Sequence, residues 1–358
     1  AFTECTSLES IEIPASVISY DSYSFMDCTN LKNVTFADGS TIIGKREFYN
    51  CTSLKNITIP DSVTSIDDWA FSYCTSLTNV TMTQILYDSI DPTVVFEGIS
   101  PTFNLIPSGY CGDPSVNGGK DVTWIFDDTT GTLTISGSGK MEDYKYDFDA
   151  DDNLTCNVPW YNHKLDIKNV VISNGVTSIG DLAFNDCENL TSIVIPDGIT
   201  YIGNDAFWSC TSLAEIDLPN SLDHISDYAF AGCESLTSIT IPNSVTYIAA
   251  NAFYECTGLT DITISSSVTS IYYFTFYDCK SLTNIVIPEN VTSIGYCAFG
   301  NCTSLTKVDI PDSVTSIGTQ TFIGCTNLKD VIMSKTLYDD LVRNNRLSDV
   351  FQDINLPN

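Results

Sequence analysis

The sequence predicts a solenoid of α/β type, mostly β with short helical or 3₁₀ turns, and three observations carry that expectation. Cysteines recur every 23 residues, at Cys5, Cys28, Cys51 and Cys74, and again at Cys187, Cys210, Cys233, Cys256, Cys279, Cys302 and Cys325. Each has Phe three residues before it and Leu three after. Each period also holds one short alternating run, as in Leu236-Thr-Ser-Ile239-Thr-Ile241-Pro242, with Ile239 and Ile241 on one face and Ser238 and Thr240 on the other. A fixed period of this length marks a stack in which each repeat buries its apolar face only against its neighbours.

Within a repeat, the alternating run predicts a short strand that Pro242 ends. Val245-Thr-Tyr-Ile248 is rich in β-formers without clear alternation, and Asn251-Ala252-Phe253 reads as one helical or 3₁₀ turn that brings Phe into the core. The Leu-x-x-Ile-x-Ile pattern, with Ile-Pro after the strand and Ala-Phe-x-x-Cys before the next, resembles the BspA-like, or Treponema-type, leucine-rich repeats of bacterial surface proteins. The chain departs from standard leucine-rich repeats eleven residues after the cysteine. Their Asn there is mostly Ser, at Ser16, Ser62, Ser221, Ser244 and Ser313, with Asn290 the exception. A short hydroxyl can still bond loop backbone groups.

Taken in order, residues 1–83 form the first repeat block, which opens inside a repeat, so a fragment of a longer exported protein is expected. Residues 84–108 hold a cap and linker. Their Gln84-Ile-Leu86-Tyr87-Asp88 and Val95-Phe96 are echoed after block two by Leu337-Tyr338-Asp339-Asp-Leu341 and Val350-Phe351, which predicts a short helical cap at residues 334–358 as well. Residues 109–163 are unrelated to the repeat: Val122-Thr-Trp124-Ile-Phe126, a turn ending at Gly131, and Leu133-Thr-Ile135 predict a β-hairpin cap, with Trp160 packing on the first coil of block two. This segment resembles the module that precedes such repeats in exported proteins of Gram-positive gut bacteria. Block two, residues 164–333, opens with a coil that has Lys164 in the cysteine position.

The 45 acidic and 15 basic residues give a net charge of −30, which argues against nucleic acid or an anionic bilayer and favours a basic protein surface. No apolar run reaches membrane-spanning length. The ladder cysteines read as small buried thiols because they sit in equivalent environments with no natural pairing. Cys297, in the place of Tyr228 and Trp69 in sister repeats, is expected to be the more exposed. Cys111 and Cys156 lie outside the ladder and bracket the cap, either as one disulfide or as two free thiols.

No catalytic signature is present, so no enzyme and no cofactor are expected. His163 and His224 have no partner at metal-ligand spacing. Asp147, Asp149 and Asp151 alternate as in a calcium loop, but Asp152 and Val158 stand where such a loop needs Gly and Glu, so a solvated acidic loop is the leading reading. The outward strand face is expected to be a continuous hydrated sheet. Its densest charge is Glu215, Asp217 and Asp261, the candidate binding residues for a basic partner. The resemblance implies a secreted or cell-surface, adhesin-like scaffold without catalysis, binding a host or bacterial surface protein. A passive spacer and the non-catalytic targeting part of a larger secreted enzyme are the alternatives.

Overall fold

The computed structural model describes residues 2–14, 23–37, 39–148, 154–352 and 354. The chain divides into two compact units, Ala1–Gly109 and Tyr110–Asn358. In both, successive coils pair through two short parallel ladders. One joins outward strands, such as Asn56–Thr58 with Asn79–Thr83, and Ser238–Thr240 with Asp261–Thr263. The other joins the Ile pairs, as in Tyr201–Ile202, His224–Ile225 and Tyr247–Ile248. Partners lie 23 residues apart, so Ile239 pairs with Ile262 and the apolar side of every strand stays in register.

The outward sheet is not continuous. Neither the Glu215–Asp217 nor the Asn284–Val286 stretch forms a strand, and the second keeps only a bridge from Val286 to Asp309. Parallel pairs this short rest on very few hydrogen bonds, so a small departure dissolves them.

The return path also differs from the helical or 3₁₀ turn expected at Asn251-Ala252-Phe253. Two residues per coil, five and one before the cysteine, take the left-handed conformation: Arg46 and Asn50, Tyr228 and Gly232, Asn251 and Glu255, Phe274 and Asp278. For a residue other than glycine this costs roughly 1–2 kcal/mol. What offsets it is the Phe between them, which the paired kinks drive into the core.

These rings form a spine. Phe2, Phe25, Phe48, Phe71 and Phe96 stack at 5.4–5.5 Å in the first unit. In the second, Phe184 through Phe322 stack at 5.3–5.5 Å, closed by Phe351 at 5.4 Å. The Phe amide donates forward, as in Phe207 to the Ala229 carbonyl and Phe230 to that of Ala252, both at 2.8 Å. The cysteine thiol donates backward to the Phe carbonyl of the preceding coil in nine rungs, at 3.0–3.3 Å. Serine does the same duty on the other side. Ser62, Ser221 and Ser313 each donate at 2.7 Å to a carbonyl of the coil before, whereas the Ser244 hydroxyl is buried without a partner among the described residues, and Ser16 lies outside them.

The coil ends are closed by the flanking segments. Val95 and Val350 supply the carbonyls that accept from Phe71 and Phe322 at 3.1 Å, and the helices Gln84–Ser89 and Lys335–Arg343 bury Leu86, Leu337 and Leu341. At the start of the second unit, the hairpin Val122–Asp127 with Thr132–Gly137 is antiparallel, and its second strand pairs in parallel with Asn169–Ile172. Trp160 is fully buried, stacks on Phe184 at 6.0 Å, and donates from Nε1 to the Ala183 carbonyl at 2.8 Å.

All fourteen cysteines are free thiols. Burial pushes Cys187 and Cys256 up to about 12, which leaves almost no thiolate. Cys297 is 3% exposed, against the sequence expectation: it shares the left-handed backbone of its sister residues, but its short side chain packs against Gln320, with Sγ 3.7 Å from Oε1. Cys5 and Cys156 are the partly exposed thiols. Brief alkylation of the native protein should therefore modify Cys5 and Cys156 first, by peptide mapping, and early labelling of Cys297 would contradict this packing.

Glu47 stands where sister coils carry Ala, Ser or Thr and is fully buried. Its Oε2 accepts from the Gly44 amide at 2.7 Å, Oε1 has no partner among the described residues, and desolvation raises its pKa to about 8. The folded state thus holds this proton more tightly than the unfolded state, so the first unit should lose stability as pH rises from about 4.5 to 8. Glu47→Ala should flatten that slope and raise the melting temperature at pH 8, measured by calorimetry at pH 5, 6.5 and 8.

Candidate interaction surfaces

On the outward strand face, Glu215, Asp217 and Asp261 are all exposed, and none makes a side-chain hydrogen bond or ion pair among the described residues. They are not one cluster. Glu215 and Asp217 lie on the coil whose strand lapses, Asp261 lies two coils on, and the intervening coil shows Ser238 and Thr240 there. Elsewhere this face is polar and bonded along the stack, as in Asn79 Nδ2 donating to Asn56 Oδ1 at 2.7 Å. Lys307 and Asp309 pair at 3.8 Å beside a shallow cavity of about 280 Å³ under the exposed Val286.

The other site expectations resolve differently. Asp147 lies in the strand Tyr146–Phe148, while Asp149 and Asp151 fall outside the described residues. Among the described residues no three His, Cys, Asp or Glu side chains are placed to hold a metal ion. Cys111 is buried in the cap core, and the half-buried Cys156 ends a separate ribbon paired with Tyr146–Phe148. His163 lies against Phe126 at 4.8 Å. His224 is not an ordinary surface residue: it is sandwiched between Tyr201 at 5.4 Å and Tyr247 at 4.6 Å on the second ladder.

A further feature is one the sequence reading missed. On the return side of the second unit, Trp208, Tyr228, Tyr273 and Tyr296 are 39–51% exposed, and they enclose the half-buried Tyr254, Phe274 and Tyr277. The rings touch within and across coils. Phe274 meets Tyr277 at 5.3 Å and Tyr296 at 5.2 Å edge-on, Tyr254 stacks on Tyr277 at 5.4 Å, and Tyr228 meets Tyr254 at 6.3 Å. Tyr228, Asn251, Tyr254, Tyr273, Phe274 and Tyr277 line an open cavity of about 410 Å³. Carboxylates act on its phenols: burial and then Glu255 raise Tyr254 to about 12, and burial with Asp205 and Asp227 raises Tyr228. The available signal was positional, since most of these residues stand five or two before a ladder cysteine, among the left-handed kinks five and one before it.

Among the described residues no helix is long and apolar enough to cross a membrane. No curated protein matches the chain. Among solved structures, it is similar to a leucine-rich repeat protein from Bacteroides ovatus, at 23% identity and a TM-score of 0.46, over 100% of this chain and 85% of that one. A T. pallidum leucine-rich repeat protein matches at 23% identity and TM-score 0.40, over 65% and 96% of the two chains. A leucine-rich cell surface protein from Faecalibacterium prausnitzii matches at 24% and 0.34, over 92% and 85%. The model of the BspA type leucine-rich repeat region matches in six copies over residues 1–97, 159–280 and 246–349, which include every ladder cysteine and its Phe. With the repeat, the spine and this match in agreement, the chain belongs to the BspA type leucine-rich repeat family.

Proposed function

We propose that the chain is a non-catalytic scaffold, secreted or displayed at the cell surface, that binds a basic host or bacterial surface protein in the manner of an adhesin. The observation that carries this reading is the ring cluster on the return side of the second unit, with four large aromatic side chains left between 39% and 51% exposed. Aromatic residues concentrate at the centres of protein interfaces, where they bury large area at small entropic cost, and a monomer gains nothing by keeping them wet. The net charge of −30 selects a cationic partner and speeds its encounter. Glu215, Asp217 and Asp261 supply steering from the outward face, with little affinity of their own because they are dispersed and solvated.

Beads coated with the protein should adhere to host epithelial cells or to bacteria, and protease treatment of those cells should remove adhesion. Trp208→Ala, Tyr228→Ala and Tyr273→Ala together should lower adhesion at least tenfold, the loss of about one hot-spot residue or more. Glu215→Ser, Asp217→Thr and Asp261→Ser together should lower it less and flatten its salt dependence. Adhesion equal to that of albumin-coated beads would instead leave the chain a passive spacer.

A further inference from the structure

The two units use the same return-side positions in different ways. In the first, Arg46 stands five residues before Cys51, with Tyr23 and Trp69 at the same position in the flanking coils and Tyr49 two before Cys51. Its guanidinium carbon lies 5.7 Å from the Tyr23 ring, 5.6 Å from Tyr49 and 4.8 Å from Trp69, an aromatic cage filled from within. In the second unit, Asn251 stands five before Cys256, with Tyr228 and Phe274 in the flanking coils and Tyr254 two before Cys256. The walls are kept and the cation is gone. The space is the open cavity of about 410 Å³, and among the described residues no Lys or Arg of the chain stands over these rings.

We infer that the cage of Tyr228, Tyr254 and Phe274 around Asn251 is a binding site for an arginine side chain presented by a protein partner. A guanidinium offers each ring face a cation, as Arg46 does in the first unit, and its planar fork suits a site whose walls are aromatic. Asn251 is 4% exposed, and its side-chain amide has no hydrogen-bond partner among the described residues. Its carbonyl oxygen is an acceptor for a guanidinium N–H. The surrounding charge has the matching sign, with Asp205, Asp227 and Glu255 acting on these phenols. A neutral sugar would satisfy the rings but leave that field unused.

The inference rests on the scaffold reading for the molecule that carries the arginine, so two measurements are made on the full chain. In saturation-transfer NMR, N-acetyl-arginine amide should bind at millimolar concentration, about tenfold more tightly than its neutral citrulline analogue. Asn251→Arg, whose backbone angle of 58° matches the 54° that Arg46 already adopts, should fill the cage and abolish that binding. Tyr254→Ala should weaken it without filling anything. On coated beads, Asn251→Arg should lower adhesion as well. Equal binding of arginine and citrulline amides, arginine binding untouched by Asn251→Arg, or maltotriose binding more tightly than either would overturn the cage. If the triple aromatic variant loses adhesion while Asn251→Arg adheres normally, the cage is overturned and the scaffold reading stands.

Discussion

Each coil returns through a buried stretch that has neither helix nor strand to satisfy it, and this one constraint shapes the molecule. Buried amides must find acceptors; some bond within their own coil, as Cys210 to the Phe207 carbonyl, and those between them must reach the next coil for theirs. The forward bond from each Phe amide, such as Phe207 to Ala229, provides them, and the backward bond from each thiol gives the Phe carbonyl a second partner. Once both are in place, the 23-residue period is fixed, because an inserted residue would break the two ladders and the Phe spine together. The cysteine is therefore kept as a donor of the right size in a dry place. Ser in its place would add a stronger donor, while Ala would leave a cavity and an acceptor one bond short.

Much of this was legible in the residues. The spacing of Cys233 and Cys256 fixed the stack, the Ile239 and Ile241 alternation gave the strand, and the place of the cap segment ahead of block two pointed to Trp160 packing on its first coil. The return path was not legible, because left-handed kinks at Tyr228, Phe274 and Trp69 contradict the local preference of those residues. That conflict is settled by burial of the Phe between them, a tertiary effect that no local pattern reports. Cys297 misled in another way: reading it as exposed assumed that its side chain follows Tyr228, whereas its short side chain packs against Gln320. The cage escaped because its walls come from three coils, so that no contiguous stretch contains it.

The kinks divide labour within each period. Positions facing the spine are held to Phe, Cys, Leu and Ile, with side chains nearly all fully buried. The residue five before the cysteine has a fixed backbone but almost free chemistry, since Tyr, Arg, Trp, Leu, Asp, Asn, Phe, Cys and Gln all occur there. A surface of this kind can change its ligand without disturbing the core. The buried Glu47 shows the opposite case, in which variation reached an inward position and left one carboxylate oxygen with no partner among the described residues.

Because the return-path amides five, three and one before the cysteine donate forward, as at Asp205, Phe207 and Ser209, that side of the stack has a direction, with spare carbonyls at its beginning and spare N–H groups at its end. In the second unit, the indole of Trp160 answers the first need at Ala183, and the carbonyl of Val350 answers the second at Phe322. The two ends of a bare stack would be complementary to each other. Such a head-to-tail contact does not close on itself, so uncapped coils would grow into fibres of indefinite length. Trp160 and Val350 are in that sense what makes the solenoid finite.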